Sequence, residues 1–245
     1  MEEYAFRHRL VEGVIKSRPN RFIMMVEVKV KVVKCHCPST GRIGSIRFED
    51  IPCLLSEGLG EGRKTRYTVE AISLDPVGRE DKNWIGINQN KVNEYVEFFL
   101  KTNQFLRMIR NVEKLQREVK LGKSRIDFLV NGKDFVEVKT PLKDIPCEGH
   151  PKYEKNDSGF VHFDRMIKHF RDVSKSINRG SRAIFILCFL YDAERFKVPT
   201  PDSKTIRIQD AAREAALKGV EHWQVNLRID KDGVSLMRYF KLKLF

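Results

Sequence analysis

No stretch of this 245-residue chain approaches the roughly 20 consecutive apolar residues that a membrane-spanning helix needs. The opening residues, MEEYAFRHRL, contain acidic side chains and no apolar core of the secretory type, so neither a membrane span nor export is expected. Cysteine is sparse. Cys35, Cys37, Cys53, Cys147 and Cys188 make an odd count without a disulfide-framework spacing, which argues against a stapled secreted domain and for reduced thiols in the cytoplasm. Low-complexity tracts and internal repeats are also missing, which argues against a solenoid. Negative charge is in deficit: 33 Asp and Glu face 46 Lys and Arg, a formal net charge of +13. A membrane-surface protein would gather such charge on one amphipathic helix, whereas here it is spread along the chain, as suits a polyanionic partner such as nucleic acid. A solubility-driven surface rich in both signs would look similar, so charge alone names no function.

What is present is a hydrophobic fraction of 41%, enough to build one large core or two modest ones. Residues 1–83 read as short strands. RFIMMVEVKVKVVKCHC, residues 21–37, alternates Val26, Val28, Val30 and Val32 with Glu27, Lys29 and Lys31, the pattern of a half-buried strand. Turn-rich PSTG (38–41) and SEGLGEGRK (56–64) follow, then RYTVEAISL (66–74), a second strand candidate. PVGREDKN (76–83) breaks the pattern, as a hairpin tip or the approach to a domain boundary.

From residue 84 the texture changes. VNEYVEFFLKTN (92–103) places Val92, Tyr95, Val96, Phe99 and Leu100 on one helical stripe. REVK (117–120), a hairpin, a polar loop (141–158), a helical segment (160–177), a buried strand (183–190), a helix (210–217) and a strand (222–229) complete the chain. The order helix, three strands, helix, strand predicts an α/β layer with a mixed sheet, joined to the all-β unit in a two-domain α+β arrangement with domains at 1–83 and 84–245.

The hairpin holds the chemistry. Residues 124–140 read SRIDFLVNGKDFVEVKT, two apolar strands around an Asn-Gly turn. A three-residue loop, 131–133, sets Val130 opposite Asp134 and Asp127 opposite Glu137, whereas a two-residue loop would put the two carboxylates on opposite faces. With three, Ile126, Phe128, Val130, Val136 and Val138 share one side, and Arg125, Asp127, Glu137 and Lys139 the other. An ordinary hairpin with a solvated ionic face is the plain alternative. Two close carboxylates repel unless a cation sits between them, and oxygen ligands on rigid strands suit Mg²⁺ or Mn²⁺, with Asp127 and Glu137 as the metal ligands. Lys139 would position water or neutralise developing charge, so the trio fits metal-assisted phosphodiester hydrolysis. Glu118 is a candidate further ligand, or a partner for a nearby base.

Asp127 followed by Glu137-Val138-Lys139 across a hairpin resembles the core of PD-(D/E)XK nucleases. HCPSTG (36–41), RYTVEA (66–71), WIGIN (84–88), REVKLGKSRIDF (117–128), VEVKT (136–140) and DRMIKHF (164–170), in that order, resemble the sugar fermentation stimulation protein A family over nearly the whole chain. The resemblance implies an OB-like N-terminal β-barrel followed by a restriction-endonuclease-like domain, with DNA binding and a link to sugar-utilisation genes. By motif it assigns Asp127, Glu137 and Lys139 as the catalytic triad, with Lys168 and His169 as supporting residues on the following helix. Ser39 and Thr140 stand where the family usually has Asn, and residues 141–159 lack its proline- and aspartate-rich run.

Cys35-His36-Cys37 with Cys53 invites a zinc reading, but adjacent strand residues point to opposite faces and the usual two-to-four-residue spacing is missing. Thr40, with Gly41 and Arg42, reads instead as a turn offering N–H groups and a hydroxyl to phosphate, or as a plain barrel turn. Arg18, Arg21, Phe22, Lys64, Arg66 and Tyr67 interleave bases with aromatics, as nucleic-acid surfaces do, and Arg125 adds charge beside the hairpin. The expected protein is a DNA-binding, Mg²⁺- or Mn²⁺-dependent nuclease acting on single- or double-stranded DNA, without membrane or small-molecule cofactor. The alternative is a DNA-binding regulator that does not cut. A sugar-processing enzyme is disfavoured by the basic balance and by the lack of stacking aromatics near paired carboxylates. Oligomeric state is not legible.

Overall fold

The computed structural model describes residues 2–58, 62, 64–122, 124–142, 145–154, 174, 180–198 and 206–244. The expected helix at 160–177, with Lys168 and His169, lies outside them. Two sheets organise the rest. In the first, β2 (Val11–Asn20), β3 (Ile23–Val28), β4 (Lys31–His36), β5 (Ile51–Glu57) and β6 (Tyr67–Ile72) run in the order β4-β3-β2-β5-β6. A parallel pairing of β4 with β6, Cys35 beside Tyr67 and His36 beside Thr68, closes it into the expected five-stranded OB-like barrel. The short β7 (Ile85–Gly86) extends the sheet from β6.

The alternation across 26–32 does not form one strand. β3 ends at Val28 and β4 begins at Lys31, because Lys29 takes a left-handed backbone (φ 58°) and the chain reverses there. Val30, expected on the buried face, is at the hairpin tip and 88% exposed. No Gly or Asn marks this turn, so the periodicity reads straight through it.

The second sheet has seven strands in the order β1-β13-β12-β11-β10-β9-β8. It is built from β1 (Tyr4–Ala5), β8 (Leu115–Leu121), β9 (Ser124–Val130), β10 (Asp134–Lys139), β11 (Arg182–Phe189), β12 (Glu221–Ile229) and β13 (Gly233–Leu242). β10, β11 and β12 are parallel and the outer pairings antiparallel, the mixed sheet expected from the element order. β1 pairs with β13, so both ends of the described chain meet at one sheet edge.

Helix α1 (Val92–Lys101) follows a 3₁₀ turn, Gln89–Lys91, capped by the Asn88 side chain. Its stripe of Val92, Tyr95, Val96, Phe99 and Leu100 is buried, as predicted, against Phe128, Val130, Val136, Val138, Ile184 and Ile186. Helix α2 (Ile206–Leu217) covers the opposite face through Ala211, Ala212 and Ala215, which pack with Ala183 and Phe185.

The barrel and the large sheet meet at close range. Gly86 donates its N–H to the carbonyl of Leu190 at 2.9 Å, and a Cβ on Gly86 would sit 2.5 Å from the Leu190 Cβ. Only glycine permits that approach. One hydrophobic cluster spans the seam, joining Met24, Cys53 and Val69 of the barrel to Leu142, Phe189 and Tyr191. All five cysteines are free and buried, and among the described residues no helix is long and apolar enough to cross a membrane.

Candidate active site and nucleic-acid surface

The hairpin folds as its turn dictates. Asn131 and Gly132 take left-handed φ values of 51° and 69°, and Asp134 pairs with Val130, so the loop has three residues. Asn131 also braces the turn from outside: its Oδ1 accepts the N–H groups of Glu113 and Lys114, each at 3.0 Å, and its Nδ2 donates to the carbonyl of Asn111 at 2.7 Å.

The β9–β10 ladder stops at Phe128 and Val136. Beyond that point the Asp127 side chain takes the place of a ladder carbonyl: its Oδ2 accepts the backbone N–H of Val138 at 2.7 Å. Its Oδ1 accepts from Nδ2 of Asn93, on α1, at 2.8 Å. One expectation fails there. Phe128 and Val130 pack with Val136 and Val138, but Ile126 packs on the other face with Phe135, Ala183 and Phe185. Ile126 leaves the face shared by Phe128 and Val130 beyond the point where the β9–β10 ladder ends.

Glu137, next to Val138, is 1% exposed, and its Oε1 accepts from the Lys139 ammonium at 2.5 Å. The same ammonium reaches the carbonyl of Val138 at 3.2 Å. Burial raises the pKa of Asp127, and the neighbouring charge of Glu137 raises it further. The Val138 N–H, Lys139 and Asn93 pull it back. Asp127, Glu137 and Lys139 are thus brought together at the splayed end of the hairpin.

Glu118 is not drawn into this group. β8 pairs Arg117 with Phe128 and Val119 with Ile126, and between them Glu118 adopts a left-handed φ of 52°, uncommon outside glycine. Its side chain is 57% exposed and lies 3.9 Å from Arg125, itself on the surface. Among the described residues no cluster of three or more His, Cys, Asp and Glu assembles around a cation position.

On the barrel, the sequence-predicted bases divide by role. Arg18 turns inward: its Nη2 donates to the carbonyls of Ser39 at 2.8 Å, Gly41 at 3.2 Å and Arg21 at 3.4 Å. Arg42 donates to the Gly44 carbonyl at 3.0 Å and to the Ser45 hydroxyl. Arg66 pairs with Glu57 at 2.7 Å and lies over the Tyr67 ring, while Arg21 lies over the exposed Phe22 ring at 4.7 Å. Thr40 is exposed. Lys64 lines a groove of about 490 Å³ with Pro19, Asn20, Ile23, Met25, Lys34 and Thr65. An apolar floor between two lysines suits a base and its flanking phosphates.

The sequence reading missed Asn93 and this groove. Asn93 sits at the edge of the α1 stripe, two helical turns before Leu100, and only its contact with Asp127, 34 residues away, gives it meaning. Ile23, Met25 and Lys34 come together only once β3 and β4 pair, Met25 opposite Lys34.

Comparison with known proteins supports the architecture. Residues 17–87 match the family profile described as the SfsA N-terminal OB domain, and residues 90–143 that of the sugar fermentation stimulation protein RE domain. A sugar fermentation stimulation protein homolog of a Picosynechococcus species is 33% identical over 234 residues, covering 92% of this chain and 88% of its own. One from a Synechococcus species is 28% identical over 235 residues, covering 94% and 92%. The solved structure of Pyrococcus furiosus SfsA in complex with Ca²⁺ superposes with a TM-score of 0.71 at 19% identity, covering 100% of this chain and 99% of that one, a likeness of fold.

Proposed function

This chain belongs to the sugar fermentation stimulation protein family, and from that premise we propose that it binds DNA and hydrolyses its phosphodiester bonds with the help of Mg²⁺ or Mn²⁺. The observation that carries the reading is the meeting of two carboxylates and an ammonium, Asp127, Glu137 and Lys139, where the β9–β10 ladder opens. Two carboxylates forced together, one of them buried, form a site that a divalent cation relieves. A two-carboxylate set suits Mg²⁺, which keeps several waters and shares substrate phosphate oxygens. Asp127 and Glu137 are the residues that would hold it. Such a cation polarises a phosphoryl oxygen and acidifies a bound water. The solved P. furiosus relative is a complex with Ca²⁺, another oxygen-seeking divalent ion, which makes Ca²⁺ a sensible binding probe here.

The remaining chemistry belongs to the chain. Lys139 sets a positive charge beside Glu137 and the Val138 carbonyl, where it stabilises charge developing on the phosphate. Val138 N–H and Asn93 hold the plane of the Asp127 carboxylate. The groove with Lys34 and Lys64, and the exposed Phe22 beside Arg21, supply a sequence-independent grip on the strand.

The test is cleavage of labelled single-stranded and double-stranded DNA with Mn²⁺, Mg²⁺ or EDTA, beside Glu137→Ala. Metal-dependent cutting that the variant loses is the expected result. If the wild type binds DNA and cuts neither form, the nuclease reading fails and the chain is a non-cleaving DNA-binding regulator.

A further inference from the structure

The loop that joins β4 to β5 is buried on both flanks and open at its tip. Cys37, Pro38 and Ser39 are buried, as are Ile43, Gly44 and Ile46, while Thr40 and Gly41 between them are exposed. Its flanks are tied to the exit of the catalytic strand. The Ser39 hydroxyl donates to the carbonyl of Ile87, Gln89 donates through Nε2 to the carbonyl of Thr140 at 2.8 Å, and the N–H of Gly44 donates to the carbonyl of Leu142 at 2.8 Å. The tip therefore stands beside residues 140–142, just beyond Lys139.

Two guanidinium groups buttress it. Arg18 holds the carbonyls of Ser39 and Gly41, and Arg42 holds the Gly44 carbonyl and the Ser45 hydroxyl. These partners are all neutral, so they satisfy hydrogen bonds without cancelling charge. Gly41 has no internal reason to be glycine. Its φ lies outside the left-handed region, and a Cβ built on it meets nothing within 4 Å.

We infer that the Thr40-Gly41 tip is a contact surface for the phosphodiester backbone of the DNA strand entering the site, kept bare at Gly41 so that this backbone approaches the peptide closely. Glycine is the residue that allows another chain's backbone near, and two arginine charges behind the tip, neither in an ion pair among the described residues, favour an anionic one. The inference rests on the nuclease reading and adds the strand's path: from the barrel groove, over the tip, to Asp127, Glu137 and Lys139.

The experiment compares the full-length protein with Gly41→Val and Gly78→Val. Gly78 is a fair control, because its added Cβ also meets nothing within 4 Å and its φ is also outside the left-handed region. Anisotropy of labelled DNA in Ca²⁺ reads binding, Mn²⁺-dependent cleavage reads activity, and thermal unfolding reads the fold. Gly41→Val is expected to keep the wild-type Tm and to weaken DNA binding about tenfold or more, alike for all sequences, as a lost backbone contact does. Gly78→Val changes neither. If Gly41→Val lowers Tm, Gly41→Ala, one carbon placed in open space, is read in its stead. Wild-type binding and cleavage in a stably folded Gly41 variant overturn the inference. A wild type that neither binds nor cuts DNA overturns the nuclease reading first, a result visible without any variant.

Discussion

The Asp127 carboxylate accepts the backbone N–H of Val138 at 2.7 Å, so a side chain completes the hydrogen-bond pattern at the point where two strands part. The carboxylate lies beside buried Glu137, and burial first, then the Glu137 charge, raises the pKa of Asp127.

Removing either carboxylate should therefore abolish cutting without abolishing the fold. Asp127→Ala is expected to lower Mn²⁺-dependent cleavage by about 10²-fold or more, the scale of a lost charge-stabilising group. DNA binding measured in EDTA should hold or tighten, because two acidic groups repel phosphate when no cation sits between them and the variant removes one. Retained cleavage would remove Asp127 from the site.

Asn93 is expected to act through Asp127. Asn93→Ala should raise the Mn²⁺ dissociation constant, measured by calorimetry, about 10- to 100-fold, as changes to residues that orient a metal ligand do. A purely structural Asn93 would lower Tm and leave metal affinity alone. Asn93→Gln, which keeps the amide, should recover part of the affinity.

Burial pushes the His222 imidazole down to about 4, from an ordinary value near 6.5, and it packs at 5.9 Å from the Phe185 ring. Between those values the unfolded chain binds more protons than the folded one, so stability falls as pH drops from about 6.5 towards 4. The loss should reach about 3–4 kcal/mol at most, at roughly 1.4 kcal/mol for each step of one in pH. Asp134 and Asp127, whose carboxyls are raised, act in the opposite direction above their ordinary value near 3.8. Urea unfolding of wild type and His222→Phe at several pH values isolates the histidine. Equal pH slopes for the two proteins would show that His222 binds its proton alike in the folded and unfolded chain, against the buried reading.

Gly86 should be intolerant. Its Cβ position lies 2.5 Å from the Leu190 Cβ, so Gly86→Ala is expected to cost about 1–3 kcal/mol in unfolding free energy. Gly86→Ala combined with Leu190→Gly should cost less than the sum of the two single changes, because the second removes the Cβ that the new methyl meets. Strict additivity would mean that the seam yields elsewhere.

Local features of this protein are set by its sequence alone. The Asn131-Gly132 turn and the buried stripe from Val92 to Leu100 follow from backbone preferences and side-chain periods acting over a few residues, whereas the strands at 11–20, 51–57 and 233–242 carry no local pattern that marks them. The motifs from His36 to Thr140 are likewise local strings, and they point to the family. Other features depend on what the chain meets far from itself. The turn at Lys29 has no marker residue, because the pairing of β3 with β4 imposes it. Arg18 reads as a free surface base until the carbonyls of Ser39 and Gly41 arrive beside it. Ile126 changes face, and Asn93 gains its partner, only where β9 leaves its ladder against α1. Periodicity assigns a face while backbone pairing is regular. At the candidate site a carboxylate replaces a backbone acceptor, so only the assembled sheet and helix decide which side chains meet there.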